Sequence, residues 1–263
     1  MKNILFITGT HLLDKYGKTI REIERENFNN IFPFFNQSSE TSRLMDHVLA
    51  NTIKGLSFYV TENRTDLIVV HGDRIEALAG AIVGALQGIR TAHIEGGEVS
   101  GTVDELIRHA VTKLAHKHFV ASERNKQRLL QMGENEADIY VIGSPNIDIM
   151  LGDSLPKKEE VFARYGIDFD TYSIFTYHPV VTELDRLEKN IDEVVSGIES
   201  TTRNYIVIYP NNDKGSEIIF NRIKQLKNNK RFKIFSSVQF ESFLILLKNA
   251  DMIVGNSSSG IHE

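Results

Sequence analysis

The chain has 263 residues, of which 41% are hydrophobic and 25% charged, with no cysteine and a formal charge of −5 at pH 7. This is the composition of an ordinary soluble globular protein, and it excludes disulfide frameworks, thiolate catalysis and sulfur-bound zinc. The acidic balance argues against a nucleic-acid partner, and no stretch approaches the roughly 20 apolar residues of a membrane span, so a cytoplasmic protein with small-molecule partners is expected.

The opening "MKNILFITGT" has an apolar run too short for a signal-peptide core and reads as a first strand at 3–8. Further strands are predicted at 66–71 ("DLIVVH"), 90–95 ("RTAHIE"), 117–121 ("KHFVA") and 138–143 ("DIYVIG"). Between them, helical patterns fill 74–88, 103–116 and 123–133. A polar, charged stretch with Pro156 at 152–170 reads as a junction. A second series follows, with strands at 172–178, 205–210, 232–237 and 251–256 and helices near 182–199, 214–227 and 239–249. This alternation predicts an α/β protein of two Rossmann-like, doubly wound domains, 1–153 and 154–263, the second incomplete.

In open α/β sheets ligands bind outside the carboxyl ends of the strands, where helix N-termini and loop amides converge. That edge collects Asp73, Glu95, His178, Asn211, Asn212 and the segment Ser257 to Glu263. Any one Asp, Asn or Ser there also serves as a helix cap, Asp73 and the serines 257–259 most of all. The stretch "HIEGGEVSGTVDELIRH" at 93–109 is unusually charged for a strand-to-helix connection, with four carboxylates, two histidines and an arginine. His116 and His118 read as structural, and His109 as either packing or site. His178 precedes Pro179, so no regular helix begins there and the ring is held at an irregular edge. "GNSSSG" at 255–260 offers amides and hydroxyls to phosphate oxygens, but without the lysine of a P-loop; no GxGxxG follows the first strand either.

"HGDRIEALAGA", "HIEGGEVSGTVDELIRHAVTKLAHKHF", "IGSPNID", "YHPVVTE", "YPNND" and "GNSSSGI" resemble, in order and spacing, the hydrolysing UDP-N-acetylglucosamine 2-epimerases of sialic-acid-type sugar synthesis. The resemblance implies a fold like the glycosyltransferase B type with the nucleotide sugar in an interdomain cleft. It also implies elimination of UDP across C1–C2 to a glycal, then hydration with inversion at C2, giving UDP and N-acetylmannosamine. Several neighbouring carboxylates suit that chemistry, because repulsion and burial split their proton affinities. By motif, Asp73, Glu95 and Asp104 become the acid/base set, with the division of steps open, and His178 sits near the leaving diphosphate. Arg74, His93, Arg108, Asn211 and the His11 of "HLLDKYGKT" become substrate residues. Val238, Phe243, Ser257, Ser258 and Glu263 become nucleotide residues, although Val238 and Phe243 read equally well as core. No cofactor and no metal are expected, and a homodimer or homotetramer is.

"GGEVSGTVDE" favours the hydrolysing branch, since non-hydrolysing bacterial enzymes carry a PEE motif there. Two departures stand out. A helix and a strand of the family pattern are expected to be missing after Thr10, as is the remainder of the second domain after Glu263. His262 stands where relatives usually have arginine. Four other readings stay open: the same chemistry on the 2,4-diacetamido sugar of legionaminic-acid routes, an inactive nucleotide-sugar binder, a glycosyltransferase and a metal-dependent phosphoesterase.

Overall fold

The computed structural model describes residues 3–26, 28, 30–38 and 44–262. Two compact units divide the chain, one comprising Met1–Leu12 with Asn27–Ile147, the other Leu13–Glu26 with Asp148–Glu263.

In chain order the elements are β1 (Leu5–Ile7), α1 (Ile20–Arg25), β2 (Ile31–Pro33), α2 (Met45–Glu62), β3 (Leu67–His71), α3 (Ile75–Gln87), β4 (Arg90–Ile94), α4 (Val103–Leu114), β5 (Lys117–Val120), α5 (Glu123–Gln131), β6 (Ile139–Val141) and α6 (Pro145–Met150). They continue with α7 (Lys158–Tyr165), β7 (Ser173–Thr176), α8 (Leu187–Ser200), β8 (Tyr205–Ile208), α9 (Ser216–Lys224), β9 (Phe232–Phe235), α10 (Phe240–Lys248), β10 (Ile253–Gly255) and α11 (Ser259–His262). Every strand pairing among the described residues is parallel. Among them no helix is long and apolar enough to cross a membrane.

In the first unit β1 and β2 pair with each other, and β3, β4, β5 and β6 form a second sheet in chain order. The core is built where α2, α3 and α4 cover β3: Val48, Val70, Ile75, Ala77, Ala81, Ile107 and Val111 form one buried cluster. Thr102 caps α4 by accepting the Asp104 N–H, and Ser122 caps α5 by accepting the Asn125 N–H, each offsetting an N-terminal amide left without an intrahelical acceptor.

The second unit has strand order β10-β7-β8-β9. Adjacent residues of its central strands serve opposite faces. Ile174 and Ile206 enter the core under α7 and α10, while Phe175 and Val207 enter the core under α8 and α9. Both faces are therefore buried, and the strands read as continuous apolar runs. The order reverses at β7, between β8 on one side and β10 on the other, which makes their carboxyl ends a topological switch point.

Several elements lie outside the sequence expectation, namely α1, β2, α2, α6 and α7. α2, with Gly55 and several β-branched residues, was not predicted; at Gly55 a Cβ would lie 2.2 Å from the Phe34 ring, so packing sets this helix. The polar stretch at 152–170 is not simply a junction. It contains α7, which starts two residues past Pro156, has the Lys157 N–H held by Glu160, and buries Val161.

Candidate functional site

In the first unit the ends of β3 and β4 lie side by side, with His71 in register with Ile94. Asp73 and Glu95 follow those ends, and Arg108 gathers them from α4. The arginine is only 8% exposed. Its Nη2 donates to Asp73 Oδ2, its Nη1 donates to the Glu95 carbonyl at 2.6 Å, and Nη1 stands 3.7 Å from Glu98 Oε2. A guanidinium removed from water needs such partners to offset its lost hydration, so the cation draws the two strand ends together.

Glu95 has φ +64° without being glycine, a left-handed backbone that costs on the order of 1–3 kcal/mol and clusters at functional sites. That twist brings its Oε2 to 3.0 Å from His71 Nε2. The hydrogen bond to His71 holds the Glu95 carboxyl below its ordinary range, with burial opposing, and in return raises the His71 ring. Sequence reasoning missed His71 as a site residue. The signal was its position at a strand end beside the next strand's Glu95.

His93 lies behind the pair, fully buried. Its Nε2 is 2.9 Å from the Gly72 carbonyl and its Nδ1 is 3.1 Å from Thr112 Oγ1. A carbonyl only accepts, so the proton sits on Nε2 and Thr112 donates to Nδ1. Burial pushes the ring down to about 4, so it is neutral at pH 7, and both nitrogens are engaged by the fold itself.

The remaining groups of 93–109 divide. Asp104 lies in the first turn of α4, one turn before Arg108, and its Oδ2 accepts from the Thr102 hydroxyl at 3.4 Å. Glu105 instead folds the loop, accepting the amides of Ser100 and Gly101 at 2.8 and 2.7 Å. His109 has a buried Nδ1 without a hydrogen bond. His116 Nδ1 accepts the Thr91 N–H, and buried His118 pairs with Glu134 at 3.3 Å, so these two are structural. Arg74 stands at the start of α3 with extended backbone. His11 follows β1 in a 3-10 turn, where burial lowers its pKa and Glu76 opposes.

In the second unit the switch point is occupied by His178. Asn256, just past β10, accepts the His178 N–H at 2.7 Å and donates to its carbonyl at 2.9 Å. The Asn211 N–H donates to His178 Nδ1 at 3.2 Å. Nδ1 is therefore the acceptor, and in the neutral ring Nε2 carries the proton. Burial lowers the ring's pKa, with Asp213 opposing, so that tautomer prevails near neutral pH. The Asn211 side chain is turned to Asp213 at 2.6 Å. Ser257 Oγ and Ser259 Oγ are 2.9 Å apart, and exposed Ser258 stands between them in sequence. Val238 and Phe243 are partly buried against the α7/α10 core. Glu263 lies outside the described residues. Asn256 was the partner missed in sequence, although it sits inside "GNSSSG". Among the described residues no three His, Asp or Glu side chains are grouped to hold a metal ion.

The family model described as UDP-N-acetylglucosamine 2-epimerase matches residues 1–263. The chain is 45% identical over 259 residues to the UDP-N-acetylglucosamine 2-epimerase of Neisseria meningitidis, covering 98% of this chain and 68% of that protein. It is 35% identical over 260 residues to the UDP-N,N'-diacetylbacillosamine 2-epimerase (hydrolyzing) of Legionella pneumophila, covering 98% and 69%. The crystal structure of the Methanocaldococcus jannaschii UDP-GlcNAc 2-epimerase in complex with UDP-GlcNAc and UDP superposes with a TM-score of 0.72 at 25% identity, covering 97% of this chain and 79% of that one.

Proposed function

The chain belongs to the UDP-N-acetylglucosamine 2-epimerase family, and on that premise we propose that it is the hydrolysing form, converting UDP-N-acetylglucosamine and water to UDP and free N-acetylmannosamine. The observation that carries this reading is the Asp73–Arg108–Glu95–His71 cluster at the ends of β3 and β4. It presents two carboxylates of different surroundings about one buried cation, as paired acid and base steps require.

Glu95 takes the C2 proton. The C1–O bond breaks, its electron pair leaves with UDP, and a C1=C2 double bond remains. Water then adds its oxygen to C1, and C2 receives a proton from the opposite face, with Asp73 and Asp104 as the further acid/base groups. His178, neutral with its proton on Nε2, donates a hydrogen bond to the departing diphosphate. Ser257 and Ser258 hold phosphate oxygens. Arg74, His11 and Asn211 orient the substrate, Val238 and Phe243 contact the base, and Glu263 meets the ribose. His93 orders the strand end beneath the sugar. The protein acts in the cytoplasm as a homodimer or homotetramer, and without a cofactor.

The hydrolysing form is supported by the loop "GGEVSGTVDE" and by the Legionella relative, whose name specifies hydrolysis. That same relative favours one second reading, the identical chemistry on a 2,4-diacetamido sugar. The test incubates the protein with UDP-N-acetylglucosamine in D2O and follows the sugar by NMR. Free N-acetylmannosamine carrying deuterium at C2, with one UDP per sugar, is the expected outcome. UDP-N-acetylmannosamine with the C1–O bond intact on the isolated product would overturn the hydrolysing form. Turnover only with the diacetamido sugar would transfer the proposal to that substrate.

A further inference from the structure

The proposed reaction uses Glu95 but leaves its neighbour unexplained. His71 ends β3, and its register partner is Ile94, one residue before Glu95. In a regular strand the Glu95 side chain would continue the alternation of β4. The left-handed φ of +64° takes it out of that alternation, while its own N–H remains tied to the Phe119 carbonyl at 2.8 Å. The side chain is thereby delivered to the His71 ring, 3.0 Å away. Strain in a non-glycine residue persists only where its surroundings over-determine it, and here the Arg108 bond to the Glu95 carbonyl and the His71 bond to its carboxylate do so.

We propose that His71 is the positioning residue of Glu95: its ring, hydrogen-bonded to the carboxylate, holds it in one orientation for removal of the C2 proton. This rests on the assignment of Glu95 as the base. The half-exposed ring faces Glu95 and Asp73, whose charges favour its protonation, and Arg108, which opposes it. Glu95 in turn faces His71, Arg108 and His93. Arg108 fixes the Glu95 backbone through the carbonyl, whereas His71 is the group hydrogen-bonded to the carboxylate. The two contacts have different effects when removed: one displaces the loop, the other frees the carboxylate.

The test measures kcat, KM and their pH dependence from about pH 3 to 9, to include the carboxylate range, for the wild type, His71→Ala, His71→Gln and Glu95→Gln. His71→Ala is expected to lower kcat about ten- to a hundredfold, less than loss of the base itself, with KM within about threefold. Its acidic limb moves to higher pH, because without a positive neighbour Glu95 takes up a proton sooner. His71→Gln restores a donor and recovers kcat to within about tenfold of wild type, yet its acidic limb stays displaced because the charge is gone. If His71→Ala fails to fold by circular dichroism, the position of the His71→Gln limb decides. An unmoved acidic limb in the folded variants, or a loss confined to KM, overturns the proposal. Glu95→Gln separates the two levels: if it still exchanges C2 deuterium at the wild-type rate, the base assignment itself is wrong. An inactive Glu95→Gln with an unmoved limb in the His71 variants sinks only the pairing.

Discussion

Gly255 ends β10 with φ +135°, in register with Thr176 of β7. A Cβ built there would lie 1.7 Å from the Thr176 carbonyl oxygen, about half a normal contact distance. Gly255→Ala therefore adds a backbone that an L-residue adopts only under strain, about 1–3 kcal/mol, to overpacking against a main-chain atom, about 1–3 kcal/mol more. A loss of about 2–6 kcal/mol is expected, relieved in part by displacement of the end of β10. Asn256 moves with it and releases the two hydrogen bonds that fix the His178 backbone, so UDP binding weakens about tenfold. Urea unfolding followed by circular dichroism and a UDP titration measure the two effects. Gly197→Ala is the matched control: this glycine is exposed inside α8 with nothing within 4 Å of a built Cβ, so the same substitution stabilises by about 0.5–1 kcal/mol. A Gly255→Ala protein within about 0.5 kcal/mol of wild type, an ordinary surface-substitution effect, would refute the packing argument.

Arg108→Met removes a buried cation from Asp73 and from the Glu95 carbonyl. Breaking a buried pair costs about 3–5 kcal/mol, and because Asp73 retains some water contact a loss of about 2–4 kcal/mol is expected in urea unfolding, with turnover abolished. His93 adds a pH dependence. Its folded pKa of about 4 lies below the ordinary 6.5, so its contribution is complete above pH 6.5 and is lost as pH falls toward 4, when the unfolded chain binds a proton that the folded chain refuses. The stability difference between wild type and His93→Gln is expected to narrow by about 2 kcal/mol from pH 7 to pH 5, and a constant difference across that range would refute the neutral buried ring. Asn256→Ala leaves β10 in place but frees the His178 backbone. Its UDP affinity should fall several-fold with stability changed by no more than about 1 kcal/mol, and unchanged affinity in calorimetry would show that the clasp does not matter to the diphosphate.

Apart from β2, the strands were legible because short β-branched runs alternate with amphipathic stretches, and burial of both faces in the second unit leaves such runs continuous. α2 was not, since its Gly55 and β-branched residues are poor helix formers, and only the Phe34 ring over Gly55 and the packing on α3 explain it. Nor was the place of Leu13–Glu26, which belongs by its contacts with the second unit, where Tyr16 meets Phe220 edge-on and Lys15 pairs with Glu217. Asp73, Glu95 and His178 could be found by position because each follows a strand. His71 and Asn256 also stand at strand ends, but position alone did not rank them, since their importance lies in which neighbour they touch.

The amino-acid sequence by itself determined the α/β class, the strand order in the chain, the edge at which polar groups gather and the family to which they belong. These are properties of local pattern and of residues close in sequence. The tertiary structure alone decided that Arg108 binds both strand ends, that Glu95 turns out of its strand toward His71, that Glu105 folds the loop, and that the Asn211 amide sets the proton on His178. Apart from the Glu105 contact, which is local to the loop and the start of α4, these depend on distances between neighbouring strand ends or between a helix and a strand end. A one-dimensional pattern does not contain those distances until the sheet registers are formed.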